Sequence, residues 1–180
     1  MHKFGFNQII EIEVFKNCSQ NGYKKFVERF IAAHLTPATN CVYLIRKMQL
    51  LHKSNKINQI RAMFIHYKLI KKYGVHIYPS TEIGMGLSIP HPTSIVIGAK
   101  VSIGCNFTVY QNTTIGGSRA GDVKKNNQPI IGNQCTLYSG SSILGKVIVG
   151  DNCIIGANSL LLSDADENST YVGMPAAKKR

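Results

Sequence analysis

The chain has 180 residues, of which 44% are hydrophobic, and it carries 21 lysines and arginines against nine acidic residues. This composition predicts one domain with an appendage and a buried core. No apolar run of about 18 residues occurs, which excludes a membrane span. Residues 1–7 lack the apolar core of a signal peptide, so we expect a cytoplasmic protein. The five cysteines form no C-x-x-C pair, which favours buried, reduced thiols over disulfides.

The positive charge is concentrated in the N-terminal part of the chain. Residues 1–75 contain 13 basic and three acidic residues, whereas residues 76–180 contain eight and six. The excess fits a solvated helical surface, or attraction to an anionic membrane face or a polyanionic glycan intermediate. Nucleic acid is disfavoured as a partner, because no recognised reader motif is present.

Residues 1–74 are predicted to form an α-helical N-terminal segment. The first 22 residues give weak signals, but the spacing of apolar residues predicts three helices, at 24–36, about 40–53 and about 56–73. Gly74 is expected to end the last helix. We expect the apolar stripes of these helices to face the core or another subunit rather than to insert into a membrane.

A six-residue period of aliphatic side chains begins near Ile77 and runs almost to the C-terminus. Its members are Ile77, Ile83, Ile89, Ile97, Ile103, Val109, Ile115, Ile131, Leu137, Ile143, Val149, Ile155 and Leu161. A compact residue such as Thr81 or Cys135 follows four positions later. Neither an α-helix nor a β-strand has this period, which is typical of a solenoid. Each hexapeptide is expected to form one short parallel strand and one corner of a triangular prism, with the aliphatic and compact residues pointing inward.

The solenoid is predicted to cover residues 75–177 in about five coils, and residues 178–180 form a short basic tail. Two interruptions break its period. The spacing from Ile89 to Ile97 is eight residues, and a sixteen-residue spacing later in the chain makes residues 117–129 an excursion from the prism. Insertions in repeat proteins tend to collect on a binding face, although a neutral surface insertion is the alternative.

His91 lies in the first interruption, between Pro90 and Pro92. A lone histidine is usually a structural residue, but this one sits beside a break in an otherwise regular repeat. An imidazole with an ordinary pKa is mostly neutral at pH 7, so it can accept a proton from an alcohol that attacks an acyl donor. Backbone N–H groups at the glycine-rich corners are suited to stabilising the resulting oxyanion.

The chain resembles the hexapeptide-repeat acyltransferases, and within them serine acetyltransferase and polysaccharide O-acetyltransferases. The resemblance is carried by IYPSTEIGMGLSIPHPTSIVIG, by TTIGGSRAGDVKKNNQPIIGNQCTLYSGSSILGKVIVGDNCIIGANSLLL and by the closing VGMPAA, over about 100 residues in all. It implies a left-handed parallel β-helix, a homotrimer with active sites between subunits, and acetyl-CoA as the donor without a metal ion. It also implies that His91 is the catalytic base.

The same resemblance implies a coenzyme site near the end of the chain. The closing VGMPAA is similar to the family's GxPA element, so Gly173, Pro175 and Ala176 are implied contacts. Corner backbone around Gly140 and Ala157 would line the pantetheine groove. The tail residues Lys178 and Lys179 would pair with coenzyme phosphates, although a loose tail is an equal alternative.

Three departures from the family pattern affect the acceptor site. The family's orienting Asp, fifteen residues before the catalytic His, is His76 here, and the Asp directly before that His is Pro90. The Arg-His-Pro of the excursion is replaced by Asn127, Gln128 and Pro129. A site without these groups should bind a zwitterionic amino acid poorly. What orients His91 in their absence is open between Glu82 and a backbone carbonyl.

We therefore expect an acetyl-CoA-dependent O-acetyltransferase that acts on a sugar hydroxyl of a cell-surface polysaccharide or lipid-linked glycan. Asp122, Asn127 and Gln128 are the predicted acceptor-binding residues, since a carboxylate and neutral amides suit sugar hydroxyls. One alternative is a serine O-acetyltransferase with a remodelled pocket, and another is a noncatalytic β-helical binding protein. A metal-dependent β-helical hydratase is disfavoured, because it needs three histidines and only His76 and His91 lie in the coils.

Overall fold

The computed structural model describes residues 5–18 and 22–179, in which four α-helices precede a β-solenoid. The helices are α1 (Phe6–Glu13), α2 (Gly22–His34), α3 (Pro37–His52) and α4 (Lys56–Tyr73). The three helices predicted from apolar spacing are thus confirmed. Helix α1 was missed, because eight residues are too few for the period to emerge clearly from the sequence.

Local signals fix where the helices begin and end. Pro37 opens α3, where its missing N–H costs nothing. The Asn55 side chain accepts a hydrogen bond from the Asn58 N–H at 3.0 Å and so caps α4, which ends at Gly74 in the left-handed conformation. Helix α3 packs against the other three helices, and its residues Ile45 and Met48 are fully buried.

Fourteen short strands follow α4. They are β1 (His76–Ile77), β2 (Glu82–Ile83), β3 (Val96–Ile97), β4 (Ser102–Ile103), β5 (Thr108–Val109), β6 (Thr114–Gly116), β7 (Ile130–Ile131), β8 (Thr136–Leu137), β9 (Ser142–Leu144), β10 (Ile148–Val149), β11 (Ile154–Ile155), β12 (Leu160–Leu161), β13 (Thr170–Gly173) and β14 (Ala176–Lys178). Their hydrogen bonds build three sheets, in the orders β1-β3-β6-β9-β12, β2-β4-β7-β10 and β5-β8-β11-β13-β14. All pairs are parallel except β13 with β14. The chain visits the three sheets in turn, which confirms the predicted left-handed β-helix preceded by a helical segment.

The inside of the prism is filled as the six-residue period predicts. Parallel pairing stacks the aliphatic residues of successive coils, as in Ile77 on Ile97 and Ile97 on Ile115, and these side chains are buried. The compact inward residues include hydroxyls that return a hydrogen bond to their own corner. Thr113 Oγ1 donates to the Tyr110 carbonyl at 2.8 Å, and Ser141 Oγ donates to the Tyr138 carbonyl at 2.7 Å. These bonds remove the cost of burying the hydroxyls.

The corners need two different kinds of small or permissive residue. The residue with positive φ is the third after the inward aliphatic, as at Asn106 (φ 56°) and Gly140 (φ 72°), and asparagine tolerates that region. The glycine directly after the aliphatic serves another purpose. A Cβ on Gly104 would lie 2.7 Å from backbone atoms of Gly132 in the next coil, so glycine is required there by close approach.

The cysteines agree with the expected reduced state, with one exception to their burial. All five thiols are free; Cys41, Cys135 and Cys153 are buried, and Cys18 is half-buried. Cys105 is exposed, so the prediction of buried thiols is wrong for it. Its position precedes the left-handed corner residue and faces outward.

Helix α1 is tied to the first coil by a buried ion pair. Glu13 receives hydrogen bonds from the Arg46 guanidinium at 2.6 and 2.7 Å, and both side chains are almost fully buried. The Glu13 carboxylate also accepts the backbone N–H groups of Gly86 and Leu87 at 2.8 and 3.0 Å. Arg46 in turn donates to the carbonyl of Gly84. Helices α1 and α3 therefore hold the segment that leads to His91.

No helix within the described ranges combines the length and the apolar character that crossing a bilayer would require.

Candidate active site

His91 lies on the surface of the prism, between β2 and β3. Its ring is exposed, while the neighbouring Pro92 is buried. The Thr93 N–H donates to the His91 carbonyl at 2.8 Å and so holds the backbone in a tight turn. The imidazole lies 6.2 Å from the Tyr110 ring, with an angle of 46° between the ring planes. The ring is thus accessible to a ligand rather than buried among aliphatic side chains.

The register break pushes His91 outward. Ser88 pairs with Thr108, and Val96 pairs with Thr114. Between these two pairs the chain advances eight residues in the first coil but only six in the second. The surplus falls at the corner between these pairs, where Pro90–Pro92 run beside Tyr110. A regular corner has no room for three residues beside one, so the turn carrying His91 protrudes.

Two tyrosines form an aromatic column below His91. Tyr110 and Tyr138 occupy equivalent positions in successive coils, since Val109 pairs with Leu137. Their rings stack at 5.2 Å with an angle of 14°. The next coil carries Gly156 at this position, so the column ends there. The sequence analysis missed these residues, although a tyrosine directly after the inward aliphatic in two successive coils was a visible signal.

The predicted coenzyme residues lie along the same edge of the prism as His91. Gly140 and Ala157 form the corners that follow β8 and β11, and strand pairing sets Gly173 beside Ala157. Gly173 pairs with Ala176 in the β13–β14 hairpin, and Pro175 lies in its turn. The lysines of the tail differ in their surroundings. Lys178 pairs with Asp166 at 3.1 Å on the surface, and Lys179 is exposed.

The predicted acceptor residues are held inside the excursion. Asp122 is 7% exposed, and its carboxylate accepts hydrogen bonds from the Arg119 N–H at 2.8 Å and the Asn127 amide at 3.4 Å. These bonds, led by the one from Arg119, lower the pKa of Asp122 despite the opposing effect of burial. Asp122 therefore organises the loop, and its role as an acceptor ligand stays a prediction.

Gln128 is buried beneath the excursion. Its side chain is packed near Gly98 and Gly117, and neither its amide nitrogen nor its amide oxygen has a hydrogen-bond partner among the described residues. Strand β3 separates Gly98 from His91, so Gln128 and His91 lie at different corners of one protomer. One protomer does not bring the excursion and the imidazole together.

The residue that replaces the family's orienting aspartate points elsewhere. The His76 ring contacts His66 of α4 edge-on, with centroids 6.5 Å apart. Burial, with a smaller effect of His76, lowers the pKa of His66. Within the described ranges, the His91 ring makes no hydrogen bond to a side chain or to a backbone carbonyl, so neither Glu82 nor a carbonyl orients it within one protomer. In the same ranges no group of three His, Cys, Asp or Glu side chains is arranged to bind a metal ion.

Comparison with known proteins agrees with this architecture. Residues 128–163 match the family described as "Bacterial transferase hexapeptide (six repeats)". Serine acetyltransferase of Helicobacter pylori is 36% identical over 142 residues, which are 79% of this chain and 81% of that protein. The chain belongs to the serine acetyltransferase family. It is therefore an acetyltransferase, as the resemblance implied.

For other relatives, the match covers a smaller share of the relative's own length. Serine acetyltransferase of Staphylococcus epidermidis is 40% identical over 102 residues, 57% of this chain and 47% of that protein. Among solved structures of the family, the Neisseria gonorrhoeae serine acetyltransferase superposes with a TM-score of 0.79 at 25% identity, covering 97% of this chain and 65% of that one. The soybean apoenzyme gives 0.72 at 27% identity, covering 84% and 61%. The chain spans between 47% and 65% of these larger family members.

Proposed function

We propose that this protein transfers the acetyl group of acetyl-CoA to a hydroxyl oxygen, with His91 as the general base. The observation that carries the proposal is the position of His91. Its imidazole is exposed at a register break and shares one edge of the prism with the corner backbone of Gly140 and Ala157. A thioester bound along that edge would meet the imidazole at its end.

The reaction follows from an imidazole that begins neutral. One His91 ring nitrogen takes the proton of the acceptor hydroxyl while the oxygen attacks the thioester carbonyl. The tetrahedral oxyanion is stabilised by backbone N–H groups. The carbon–sulfur bond then breaks, and the leaving sulfur takes the proton from the imidazolium. The products are the acetyl ester and free CoA, and His91 is neutral again.

L-Serine is the first candidate acceptor. The similarity between this chain and the H. pylori serine acetyltransferase favours L-serine, because it extends over 81% of that protein's length. The matched 142 residues extend into the β-helix, so in this interpretation the chain shares both the acetyl donor and the acceptor of that relative. This ranking differs from the sugar acceptor expected from the sequence analysis.

A sugar hydroxyl is the second candidate acceptor, and a specific observation favours it. Around His91 and in the excursion, groups that would bind an amino acid are replaced by Pro90 and by the neutral amides of Asn127 and Gln128. The amide of Gln128 has no hydrogen-bond partner among the described residues, but it is buried, so only a ligand that enters beneath the excursion would reach it. Polysaccharide or lipid-linked glycan is the acceptor class of this alternative.

Acetyl-CoA cleavage distinguishes the two candidates. Thiol release is followed with a disulfide reagent in the presence of L-serine, of nucleotide sugars or of glycan repeat units. Saturable release with L-serine and none with sugars supports the first candidate, and the reverse supports the second. Equal slow release with every acceptor and with water would contradict both, because it would be uncatalysed hydrolysis.

We extend the proposal to the assembly. A homotrimer would bring the excursion of one subunit to the His91 edge of the next, which one protomer alone does not do. Light scattering on the eluted protein should then give three times 19.9 kDa. A monomer that is fully active at the same concentration would contradict the shared site.

Peripheral contact with an anionic membrane is the last part of the proposal. It is supported by the basic character of the N-terminal helices and by exposed apolar side chains on α4, such as Ile57 and Phe64. It would bring the enzyme close to lipid-linked acceptors on the cytoplasmic face.

A further inference from the structure

The His91 ring has no hydrogen-bond partner that would orient it. Among the described residues, neither a side chain nor a backbone carbonyl bonds to the imidazole, and the ring is exposed. A free histidine side chain turns about two bonds, whereas proton transfer needs a ring nitrogen aimed at one place. A catalytic base is ordinarily oriented by a third group. Within one protomer, any such orientation therefore comes from packing against the ring.

Tyr110 supplies packing of this kind. The centroids of the Tyr110 and His91 rings are 6.2 Å apart, and their planes are tilted by 46°. This separation lies within the range in which aromatic rings attract one another, and tilted arrangements are favoured over a face-to-face sandwich. The contact restricts the imidazole although no hydrogen bond does.

The Tyr110 side chain is itself held in place by the next coil of the β-helix. Its backbone N–H donates to the Leu137 carbonyl at 2.9 Å, and its carbonyl accepts the Thr113 hydroxyl at 2.8 Å. The Tyr138 ring stacks on the Tyr110 ring at 5.2 Å, nearly parallel to it. An aromatic side chain has only two rotatable bonds, so fixing it costs little conformational entropy. The ring that His91 contacts is thus part of a rigid scaffold.

The packing of the coils does not require an aromatic residue at this position. Glycine is the usual residue directly after the inward aliphatic, as at Gly98, Gly104 and Gly132. Tyr110 and Tyr138 depart from this pattern along the edge of the prism that carries His91, and Tyr138 is 42% exposed. Two aromatic rings placed on the surface beside the candidate base point to a role at the site rather than in the core.

We propose that Tyr110 positions the His91 imidazole for proton transfer and that Tyr138 holds Tyr110 in place. The inference rests on the proposed O-acetyltransferase activity and adds two positioning residues to it. Neither tyrosine has to touch a substrate in this role. All three side chains belong to one protomer, so the arrangement is compatible with an acceptor site that a neighbouring subunit completes.

The test compares Tyr110→Leu, which removes the aromatic ring, with Tyr110→Phe, which keeps it. Thiol release from acetyl-CoA is measured with whichever of L-serine and the nucleotide sugars supports turnover. Tyr110→Leu should lower kcat about threefold to tenfold, the size of one aromatic contact. The KM for acetyl-CoA should stay unchanged, because a misdirected base weakens the transition state and not the binding of the donor. Tyr110→Phe should keep the wild-type kcat, and Tyr138→Leu should give a smaller loss than Tyr110→Leu.

Two further measurements separate positioning from a merely structural role. Tyr110→Leu added to His91→Ala should not lower the residual rate further, because no base is left to position. In NMR spectra of the free protein, Tyr110→Leu should shift the ring-proton resonances of His91, whereas Tyr110→Phe should leave them near their wild-type positions. The inference is overturned if the two kcat losses simply multiply, or if the His91 resonances do not move.

Tyr78→Leu is the matched control. Tyr78 also follows an inward aliphatic, Ile77, and its ring contacts a histidine, His66, at 5.4 Å, but it lies at a different corner of the prism. Its removal should leave both kcat and the His91 resonances unchanged. A kcat loss equal to that of Tyr110→Leu would contradict a specific role of Tyr110.

The two readouts also separate this inference from the proposed function. Shifted His91 resonances in a protein that transfers no acetyl group would keep Tyr110 as the residue that orients His91 and reject the enzymatic proposal. Transfer by the wild type with a kcat that Tyr110→Leu leaves unchanged would retain the enzyme and reject the positioning role.

Discussion

At the scale of single residues, His91 owes its position to the backbone. Pro90 and Pro92 restrict the chain on both sides of it, and the Thr93 N–H closes the turn on its carbonyl. The ring itself is exposed and approaches Tyr110.

His91→Ala should lower kcat by at least about 10²-fold, because general base catalysis contributes that much or more. The affinity for acetyl-CoA should stay unchanged, since the coenzyme site that we propose is built from backbone at the corners of other coils. Steady-state kinetics and CoA titration measure the two effects. His52→Ala, at the end of α3, is the control and should keep full activity; a His91 variant with near-normal kcat would remove the imidazole from the mechanism.

The thiols differ in reactivity because they differ in burial. Burial raises the pKa of Cys41 to about 12, with a smaller opposing effect of Lys72, and burial raises the pKa of Cys135 to about 11. The thiolate is the nucleophilic form, so almost none of either residue is reactive near neutral pH. Cys105 is exposed, so a reagent in solution can reach its sulfur.

Iodoacetamide at pH 8 should therefore alkylate Cys105 in the folded protein and leave Cys41 and Cys135 unmodified. Peptide mass mapping after timed quenching measures the order. Denaturant should expose all three thiols and equalise their rates. Rapid alkylation of Cys41 under native conditions would mean that α3 is not packed as described.

At the scale of elements, the stacking of coils depends on glycines that have no room for a side chain. Gly104→Ala would bring a Cβ within 2.7 Å of the Gly132 backbone, and backbone cannot move aside as a flexible side chain can. We expect a loss of about 1–3 kcal/mol in the free energy of unfolding, the usual cost of overpacking. That loss lowers the melting temperature by several degrees, at about 2–4 °C per kcal/mol for a chain of this size.

Gly116→Ala is the matched control for this substitution. Nothing lies within 4 Å of a Cβ added at Gly116, and its φ is not positive. Thermal unfolding should therefore show little change for Gly116→Ala. Equal melting temperatures for the two variants would contradict the close approach of the coils.

The attachment of α1 to the first coil of the β-helix depends on the hydrogen bonds of Glu13. Glu13→Gln leaves the Arg46 guanidinium buried without a counter-charge, which should cost about 3–5 kcal/mol of folding stability. Glu11→Gln, on the same helix, breaks an exposed pair with Arg29 and should cost less than about 1 kcal/mol. Chemical unfolding of both variants measures the difference, and similar losses would mean that the Glu13 pair is not buried.

At the scale of the whole molecule, the two parts of the chain have different surfaces. Residues 29–81 contain nine basic residues and no acidic one. On α4, the large apolar side chains of Ile57, Phe64 and Tyr67 are more than half exposed between lysines. Like charges would oppose pairing of this face with a second copy, whereas an anionic bilayer complements it.

The protein should therefore bind vesicles that contain phosphatidylglycerol and should not bind vesicles of phosphatidylcholine alone. Binding should weaken as salt rises, because screening shortens the reach of surface charges to about 10 Å at 0.1 M. Co-sedimentation measures both effects. Lys68→Gln with Lys71→Gln should weaken binding more than about tenfold, since each lysine near an anionic surface contributes about 1 kcal/mol.

Two results would contradict membrane contact. Equal binding to neutral vesicles would mean that the charge is only a solvated surface. Concentration-dependent self-association that the same lysine changes disrupt would identify a second copy as the partner of α4.

The sequence alone determined the β-helix, because its period is a local property. Each inward residue, such as Ile97 or Cys135, meets the same neighbours one coil above and below, so spacing along the chain specifies packing in space. The position of His91 at a register break was likewise readable, since a break is a change in spacing. Helices α2 to α4 had clear apolar spacing for the same reason.

The tertiary structure alone decided which polar groups are already occupied by partners from elsewhere in the chain. The Glu13–Arg46 bond joins residues 33 positions apart, and Glu13 reaches Gly86 across 73 positions, so no local pattern predicts that the Glu13 carboxylate is fully occupied. The burial of Asp122 and Gln128 inside the excursion also depends on how that loop folds over the coils. Repeats encode contacts between neighbours, whereas an acceptor site is built from residues that are distant in the chain.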